Sequence, residues 1–294
     1  MHLDDEGRKN LLIIKLGGSL ITYKKDDISP PFLENELGLT YRIREHVIRQ
    51  VARTLRECSD EDLIIVHGGG THGHRTVNRW RRGVARGPES LMVWEVKWRM
   101  DQLTSAVVRV LGEERVPAVS HPTSSFVLSD GSAVASMDIN SLKNIVSGGC
   151  VPVIRGDLCP DVRGGWSVVS GDELIYELCR RSGTEMGIIS KVIMLMDAEG
   201  VMNRETGKVI EEIDNEHPEG LYGGGGSSPS PVEGDVSGGI GGKVKTCVGI
   251  SGMGIETYIT GGDAGRNLRR ILEGKRAGTR FPPKGKTNHG DQGD

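Results

Sequence analysis

Glycine-rich loops that directly follow short apolar runs constrain this chain more than any other feature of its sequence. Residues 11–15 and 63–66 are aliphatic and partly β-branched, and each run is followed at once by clustered glycines. The chain has 43 glycines among 294 residues, which is about twice average usage. Glycine at strand ends permits tight turns and close approach of the backbone to a ligand. The sequence therefore predicts strands that carry ligand-binding loops.

Strand-like runs alternate with longer segments of helical periodicity. Further strands are predicted at residues 118–119, 151–154, 192–196 and 257–260. Helices are predicted around the apolar residues Ile43, Val47, Ile48, Val51 and Leu55, and over residues 91–111, 172–181 and 264–272. Residues 126–135 are predicted to form a small hairpin. This alternation is typical of a mainly parallel sheet covered by helices, so the predicted fold class is α/β with six strands in one open sheet.

Charge, cysteine content and hydropathy exclude several classes of protein. The 37 basic and 40 acidic residues give a formal net charge of −3, which provides no electrostatic case for binding nucleic acid or an anionic membrane. The five cysteines are scattered and never form a C-x-x-C pair, which favours reduced thiols over disulfides or a zinc ribbon. The acidic start and the lack of a long apolar run predict neither a secretion signal nor a membrane span. A cytoplasmic protein is expected.

The first two glycine loops both have the features of an anion site. Residues 15–19, KLGGS, place a lysine and two glycines after a strand, although an ordinary turn explains them about equally well. Residues 67–74, HGGGTHGH, contain the G-x-G-x-x-G dinucleotide pattern. A Rossmann loop leads straight into a packed helix. The following segment has no clean apolar period and carries five arginines, so a basic segment beside an anion-binding loop is preferred: Arg75, Arg79, Arg81, Arg82 and Arg86.

Two other interpretations of these loops fail on their spacing. His67, His72 and His74 suggest a metal, but no cysteine or carboxylate is spaced to complete a zinc site, so no protein-held metal is predicted. Residues 235–243 look like a P-loop, yet Ser237 stands where a glycine is needed and Val244 where Ser or Thr must bind Mg²⁺.

Three separated glycine loops remain, accompanied by cations and carboxylates. The cations are Lys15, Lys24, His74 and Lys243, and the carboxylates are Asp157, Asp172 and Asp197. If these groups converge on one sheet edge, they suit phosphoryl transfer from ATP with Mg²⁺, which requires charge neutralisation and alignment. A phosphate monoester is already mostly dianionic at neutral pH and needs no general base.

The order of these motifs resembles the amino acid kinase family from Leu12 to Thr279. The matching segments are residues 15–19, 67–74, 170–172, 197–200 and 235–243. Within the family, the details at residues 15–24, 73–74, 124–126, 152–157 and 235–239 are similar to the isopentenyl phosphate kinases. The resemblance implies an open αβα sandwich with a mainly parallel central sheet, formed by residues 1–294 as one domain and assembled as a homodimer. Isopentenyl phosphate would bind over about residues 11–160 and ATP·Mg²⁺ over about 161–280.

The resemblance also implies individual functions for residues. The implied catalytic residues are Lys15, Lys24, His74 and Asp172, with Asp172 orienting the lysines. The implied acceptor-binding residues are Gly69, His74 and Gly156. The implied ATP-binding residues are Lys15, Gly17, Gly18, Ser19, Gly70, Asp197, Gly239 and Lys243. The apolar helix over residues 91–111 is expected to be buried on more than one side and to line a slot for the five-carbon tail.

The chain departs from the family pattern at several places. His72 replaces an aromatic residue of the acceptor loop, and residues 196–200 read MDAEG where TDVDG is common. The Gly, Ser and Pro-rich insertion 223–233 is a lid or a tolerated surface loop, and residues 282–294 are predicted to be a disordered tail. Three alternatives stay open: a kinase for another small phosphate or phosphonate such as fosfomycin, a non-catalytic nucleotide sensor, and a Rossmann oxidoreductase.

Overall fold

The computed structural model describes residues 10–23, 43–83, 85–183, 187–203, 205–214 and 239–284. Several sequence predictions lie outside these residues. They concern Lys24, the insertion at 223–233, the start of the third glycine loop at 235–238, and residues 285–294 of the predicted tail.

A seven-stranded, mainly parallel sheet organises the described residues. The strands of the chain are β1 (Leu11–Leu16), β2 (Asp62–His67), β3 (Ala118–Ser120), β4 (Val127–Asp130), β5 (Ala133–Met137), β6 (Val151–Arg155), β7 (Asp157–Pro160), β8 (Trp166–Val169), β9 (Ile189–Leu195), β10 (Glu256–Thr260) and β11 (Thr279–Phe281). The sheet order is β11-β10-β9-β1-β2-β6-β3. Every neighbouring pair is parallel except β10 and β11.

The predicted strands are confirmed, and three described strands, β7, β8 and β11, were missed. The short edge strand β11 pairs with β10 over three residue pairs, which is too short for a period-2 pattern to be recognised. The predicted hairpin is formed by β4 and β5. A second hairpin, β7 with β8, follows β6 directly.

Helices cover both faces of the sheet. They are α1 (Gly18–Ile21), α2 (Glu45–Cys58), α3 (Gly70–Arg81), α4 (Glu89–Glu113), α5 (Asn140–Ser147), α6 (Gly171–Arg180), α7 (Gly239–Gly252) and α8 (Ala264–Leu272). Ile13 of β1 packs in one core with residues of α5, α6 and α7, whereas Ile14 packs in a second core with residues of α2, α4 and α8. Successive side chains of a strand point to opposite faces. The predicted αβα sandwich is confirmed.

The second glycine loop leads straight into a packed helix, α3, although the missing apolar period had argued against one. Its buried residues are His72, Thr76 and Val77. Two of these three are polar, so the buried face of α3 leaves almost no trace in an apolar pattern.

The prediction for α4 was wrong in its first half. Leu91, Trp94 and Trp98 are exposed, by 49%, 56% and 36% of their surface, so this part of the helix is buried on one side only. The rings of the two tryptophans stack on each other, with centroids 5.8 Å apart. The buried face of α4 carries Val96 and Met100 instead.

The described part of the chain bears on two further expectations. All five cysteines are free thiols. Among the described helices, none combines the length and the apolar character that crossing a membrane requires.

The loops that follow β1 and β2 are in direct backbone contact. A Cβ atom built on Gly18 would lie 2.1 Å from the amide nitrogen of Gly70, and one on Gly68 would lie 2.7 Å from that of Gly18. Gly70 also has a φ of +49°, which strains any residue with a side chain. Backbone atoms cannot move aside as a flexible side chain does, so these positions require glycine.

We predict that Gly18→Ala destabilises the protein by about 3 kcal/mol or more, since the new methyl group overlaps backbone. Urea unfolding measures this change. The matched control is Gly112→Ala, because Gly112 is an exposed glycine of α4 where an added Cβ would meet no atom of the described residues within 4 Å. Alanine there should be neutral or stabilise by up to about 1 kcal/mol through helix propensity. Equal midpoints for the two variants would contradict the packing argument.

Candidate active site

The carboxyl ends of four parallel strands bring the predicted site residues to one edge of the sheet. Leu16 at the end of β1 is in register with His67 of β2 and with Leu195 of β9, and His67 is in register with Arg155 of β6. The loops that begin at Gly17, Gly68, Gly156 and Met196 therefore lie side by side. Open α/β sheets bind their ligands at this edge.

Asp172 holds two lysines that are far apart in the sequence. Lys15 on β1 is only 6% exposed, and its Nζ donates a hydrogen bond to Asp172 Oδ1. Lys243 on α7 places its Nζ 3.7 Å from the other carboxylate oxygen, Oδ2. Asp172 itself lies in the first turn of α6, which Ser170 caps by accepting a hydrogen bond from the amide of Glu173 at 3.1 Å. The structure thus brings together three of the predicted residues.

This triad gathers two lysines around one carboxylate beside the first glycine loop. Burial lowers the pKa of Lys15 below its ordinary value, Asp172 opposes that shift, and the nearby charge of Lys243 adds to it. Such preorganised cations stabilise negative charge that develops on a transferring phosphoryl group.

The second glycine loop opens directly into α3, and its glycines pack against α4. A Cβ atom on Gly69 would lie 3.3 Å from Met100 Sδ, and one on Gly73 would lie 3.0 Å from the same sulfur. Amides in the first turn of a helix have no partner within the helix and favour anions. The loop therefore combines an anion-binding helix start with an apolar side chain beside it.

The three histidines of this loop have different environments. Burial lowers the pKa of His67 to about 3, and its ring nitrogens lie 2.9 Å from Thr104 Oγ1 and 3.1 Å from the Gly68 carbonyl oxygen. His72 is also buried, and burial lowers its pKa to about 4. His74 is only partly buried in the first turn of α3. Of the three, His74 is the one placed to contact a ligand.

Gly156 has a packing function at the end of β6. Its amide donates a hydrogen bond to the His67 carbonyl oxygen at 3.2 Å, and a Cβ there would lie 2.9 Å from the amide nitrogen of Gly171. This close contact fixes the start of α6, and with it Asp172, against the end of β6. Contact between Gly156 and an acceptor stays a prediction.

The remaining predicted residues are distributed around the first loop. The Gly17 amide donates to the Leu195 carbonyl oxygen at 2.8 Å, and Ser19 is exposed in α1. Gly239 begins α7 with a φ of +61°. Asp197 lies after β9 and pairs with Arg44 at 3.1 Å.

Sequence reasoning missed the partners of two carboxylates. Arg44, the partner of Asp197, lies just before α2 and gives no motif signal. Asp157 is fully buried, and Lys97 of α4 donates to it at 2.6 Å and also to Ser124. The segments around Ser124 and Asp157 stand out as motifs, but Lys97 lies within a helix whose apolar pattern conceals it.

The described residues contain no group of three or more His, Cys, Asp or Glu side chains that could hold a metal ion. Mg²⁺ in phosphoryl-transfer sites usually takes most of its ligands from nucleotide phosphates and water, with one or two protein carboxylates. The carboxylates at this edge of the sheet are enough for a metal ion that arrives bound to a nucleotide.

Comparison with known proteins agrees with this geometry. The isopentenyl phosphate kinase of Methanothermobacter thermautotrophicus is 30% identical over 291 residues, covering 93% of this chain and 100% of that protein. The isopentenyl phosphate kinase of Haloferax volcanii is 27% identical over 270 residues, covering 88% and 99%. A solved isopentenyl phosphate kinase structure superposes with a TM-score of 0.70 at 26% identity, covering 92% of this chain and 100% of that one.

The family assignment rests on most of the chain rather than on isolated motifs. The family described as "Amino acid kinase family" matches residues 10–261, which include the first two glycine loops, Asp172 and Lys243. The resemblance inferred from the sequence is thereby confirmed. The chain belongs to the amino acid kinase family.

Proposed function

We propose that this chain is a kinase that transfers the γ-phosphoryl group of ATP to isopentenyl phosphate and forms isopentenyl diphosphate. The observation that carries this proposal is the buried Asp172 carboxylate between Lys15 and Lys243, next to a glycine loop that opens a helix. Near full-length likeness to isopentenyl phosphate kinases supports the choice of acceptor.

The reaction exchanges one phosphorus–oxygen bond for another. An oxygen of the acceptor phosphate forms a bond to the γ-phosphorus while the bond from that phosphorus to the bridging oxygen breaks and ADP leaves. The acceptor is mostly dianionic at neutral pH, so no proton has to be removed before attack. Lys15 and Lys243 would stabilise the charge that spreads over the transferring group.

The two substrates are proposed to bind mainly to different halves of the chain. In this proposal residues of about 11–160 bind the acceptor, and residues of about 161–280 bind ATP. Gly69, His74 and Gly156 would form the acceptor phosphate site. The proposed nucleotide contacts are Gly17, Gly18, Ser19, Gly70, Asp197, Gly239 and Lys243. Lys24, outside the described residues, is proposed as a further catalytic cation.

The five-carbon tail would lie against the aliphatic face of α4. Met100 touches the acceptor loop at Gly69 and Gly73, and Val96 is buried one turn earlier. Trp94 and Trp98 are exposed, so they are not part of the proposed slot. This arrangement replaces the expectation that the tryptophans line it.

Mg²⁺ is proposed to enter with ATP. Asp172 and Asp197, two carboxylates at this edge of the sheet, would help to hold it. When bound, it would neutralise charge on the nucleotide.

A cytoplasmic homodimer is proposed from the cysteines and from the exposed face of α4. Free thiols at all five cysteines suit a reducing compartment. The exposed apolar side chains of Leu91, Trp94 and Trp98 on α4 offer a surface that a second copy could cover. The family resemblance supports the same assembly.

We predict that the purified protein releases ADP from ATP and Mg²⁺ with isopentenyl phosphate or dimethylallyl phosphate as acceptor. Fosfomycin and acetylglutamate serve as comparison acceptors in the same coupled assay. Turnover with isoprenoid monophosphates alone would support the proposal. Turnover with fosfomycin alone would keep the kinase chemistry and change the acceptor, and nucleotide binding without turnover would favour a sensor.

Replacement of Lys15 tests the charge arrangement directly. Lys15→Met should lower kcat on the order of 10²- to 10³-fold, because it removes a preorganised cation from the phosphoryl site. Lys191→Met is the matched control: Lys191 is also on a central strand and paired, with Glu256 at 3.4 Å, but lies near the amino end of β9. Its kcat should stay within about twofold of wild type, well below the effect that one site donor supplies. Equal losses in both variants would refute the assignment.

The pH dependence of kcat should carry the signature of Lys15. Only the protonated amine stabilises the phosphoryl group, and burial lowers its pKa below 10.5. Activity should therefore fall as the pH rises through that lowered value. Lys15→Arg should move this alkaline limb to higher pH. Asp172→Asn should move it to lower pH, because Asp172 raises the Lys15 pKa. Identical limbs in all three proteins would show that another group titrates.

A further inference from the structure

A buried charged cluster lies between α3 and α4, and the proposed chemistry does not use it. At its centre is Glu95 of α4, whose side chain is 5% exposed. Trp80 Nε1 donates to its Oε2 at 2.8 Å, and Arg79 Nη1 donates to its Oε1 at 3.2 Å, both from α3. Arg99, one helical turn further along α4, places its Nε 3.5 Å from Oε1. One carboxylate thus ties two helices together.

Packing two helices through this cluster has a high desolvation cost. The Arg99 side chain is fully buried, and removing an ion from water costs several kcal/mol that its partner only partly returns. Well-packed apolar residues would join α3 and α4 at least as strongly. What an ion pair adds over apolar packing is a defined geometry, since apolar contacts are non-directional. In this protein the ion pair defines how α3 lies against α4.

Helix α3 connects this cluster to the acceptor loop. Arg79 and Trp80, which donate to Glu95, lie in the last turn of α3, whereas the acceptor loop lies at its start. On α4, Met100 follows Arg99 directly, and its Sδ lies against the loop at Gly69 and Gly73. Residues 95–100 of α4 therefore hold α3 at both of its ends.

We propose that Glu95 and Arg99 are positioning residues for the acceptor site, which hold α3, and with it His72 and His74, against α4. This inference rests on the proposed function, because that function places the acceptor phosphate at the start of α3. Neither residue is assigned a contact with the substrate. Their effect should therefore reach acceptor binding through the placement of α3, and it should leave the nucleotide side unchanged.

The test compares two buried carboxylates of the same helix. Glu95→Gln keeps the size of the side chain but removes the charge opposite Arg99. Glu114→Gln is the matched control: Glu114 caps the other end of α4, its side chain is 9% exposed, and Arg49 and Arg53 donate to it at 2.9 and 3.0 Å. Both variants disrupt a carboxylate–arginine cluster, but only Glu95 contacts α3, the helix that begins at the acceptor loop.

We expect Glu95→Gln to raise the KM for isopentenyl phosphate on the order of tenfold, the scale of a small misplacement of a binding group. Its KM for ATP should stay within about twofold, whereas Glu114→Gln should leave both KM values unchanged even if its thermal stability falls. Glu95→Asp should recover part of the lost affinity for acceptor. An unchanged acceptor KM in Glu95→Gln, an equal rise in Glu114→Gln, or a fall in acceptor KM caused by the added net positive charge would each overturn the proposal.

Hydrogen–deuterium exchange separates this inference from the proposed function. Amides of the last turn of α3, which are hydrogen-bonded within the helix, should exchange faster in Glu95→Gln and at the wild-type rate in Glu114→Gln, because only Glu95 receives hydrogen bonds from α3. This readout does not depend on turnover. Absence of wild-type turnover with isopentenyl phosphate would refute the proposed function alone, while unchanged exchange in Glu95→Gln would refute the positioning of α3.

Discussion

The ion pair between Lys15 and Asp172 is the interaction on which the arrangement of this protein depends. It places a buried cation at the end of the central strand β1, where water cannot solvate it, so the carboxylate has to be delivered within hydrogen-bond distance. Asp172 in the first turn of α6 supplies this carboxylate, and the contact between Gly156 and Gly171 fixes the start of that helix. A Cβ at Gly171 would already touch the Lys15 stem, since it would lie 3.5 Å from Lys15 Cε, so a larger side chain has little room there. Small residues around the pair therefore serve its geometry.

The same pair explains why the two glycine loops are so close. In the proposed reaction Lys15 would face both substrates, and the loops after β1 and β2 meet with backbone against backbone at Gly18 and Gly70. In-line transfer requires donor and acceptor to approach within bonding reach. Side chains between the loops would hold the two phosphates apart. The glycines are thus explained by the distance that the reaction demands as well as by turn conformation.

Most of the fold could be predicted from the sequence, whereas the polar partners could not. The continuous apolar run of β1 and the helical apolar period of α8 reflect directly which residues are buried. Their predicted bounds therefore agree closely with the structure. Helix α3 was not predicted because its buried face consists mainly of the polar residues His72 and Thr76, which do not contribute to a hydrophobic pattern. The pairing of Asp197 with Arg44 joins residues 153 positions apart. Such contacts are fixed by tertiary packing, and a single sequence contains no local signal for them.

The charged clusters of this protein differ in where they lie. Asp172 binds two lysines at the sheet edge, where an incoming phosphate could contact them. Glu95 binds Arg79 and Trp80 of α3 within the helix layer, where the cluster serves to hold α3 in place. Both clusters set two cations against one carboxylate, so their charge balance does not distinguish them. A cation stabilises a transferring phosphoryl group only where that group can reach it. The fully buried Arg99 between α3 and α4 does not meet this condition, so position separates the proposed catalytic lysines from the structural arginines.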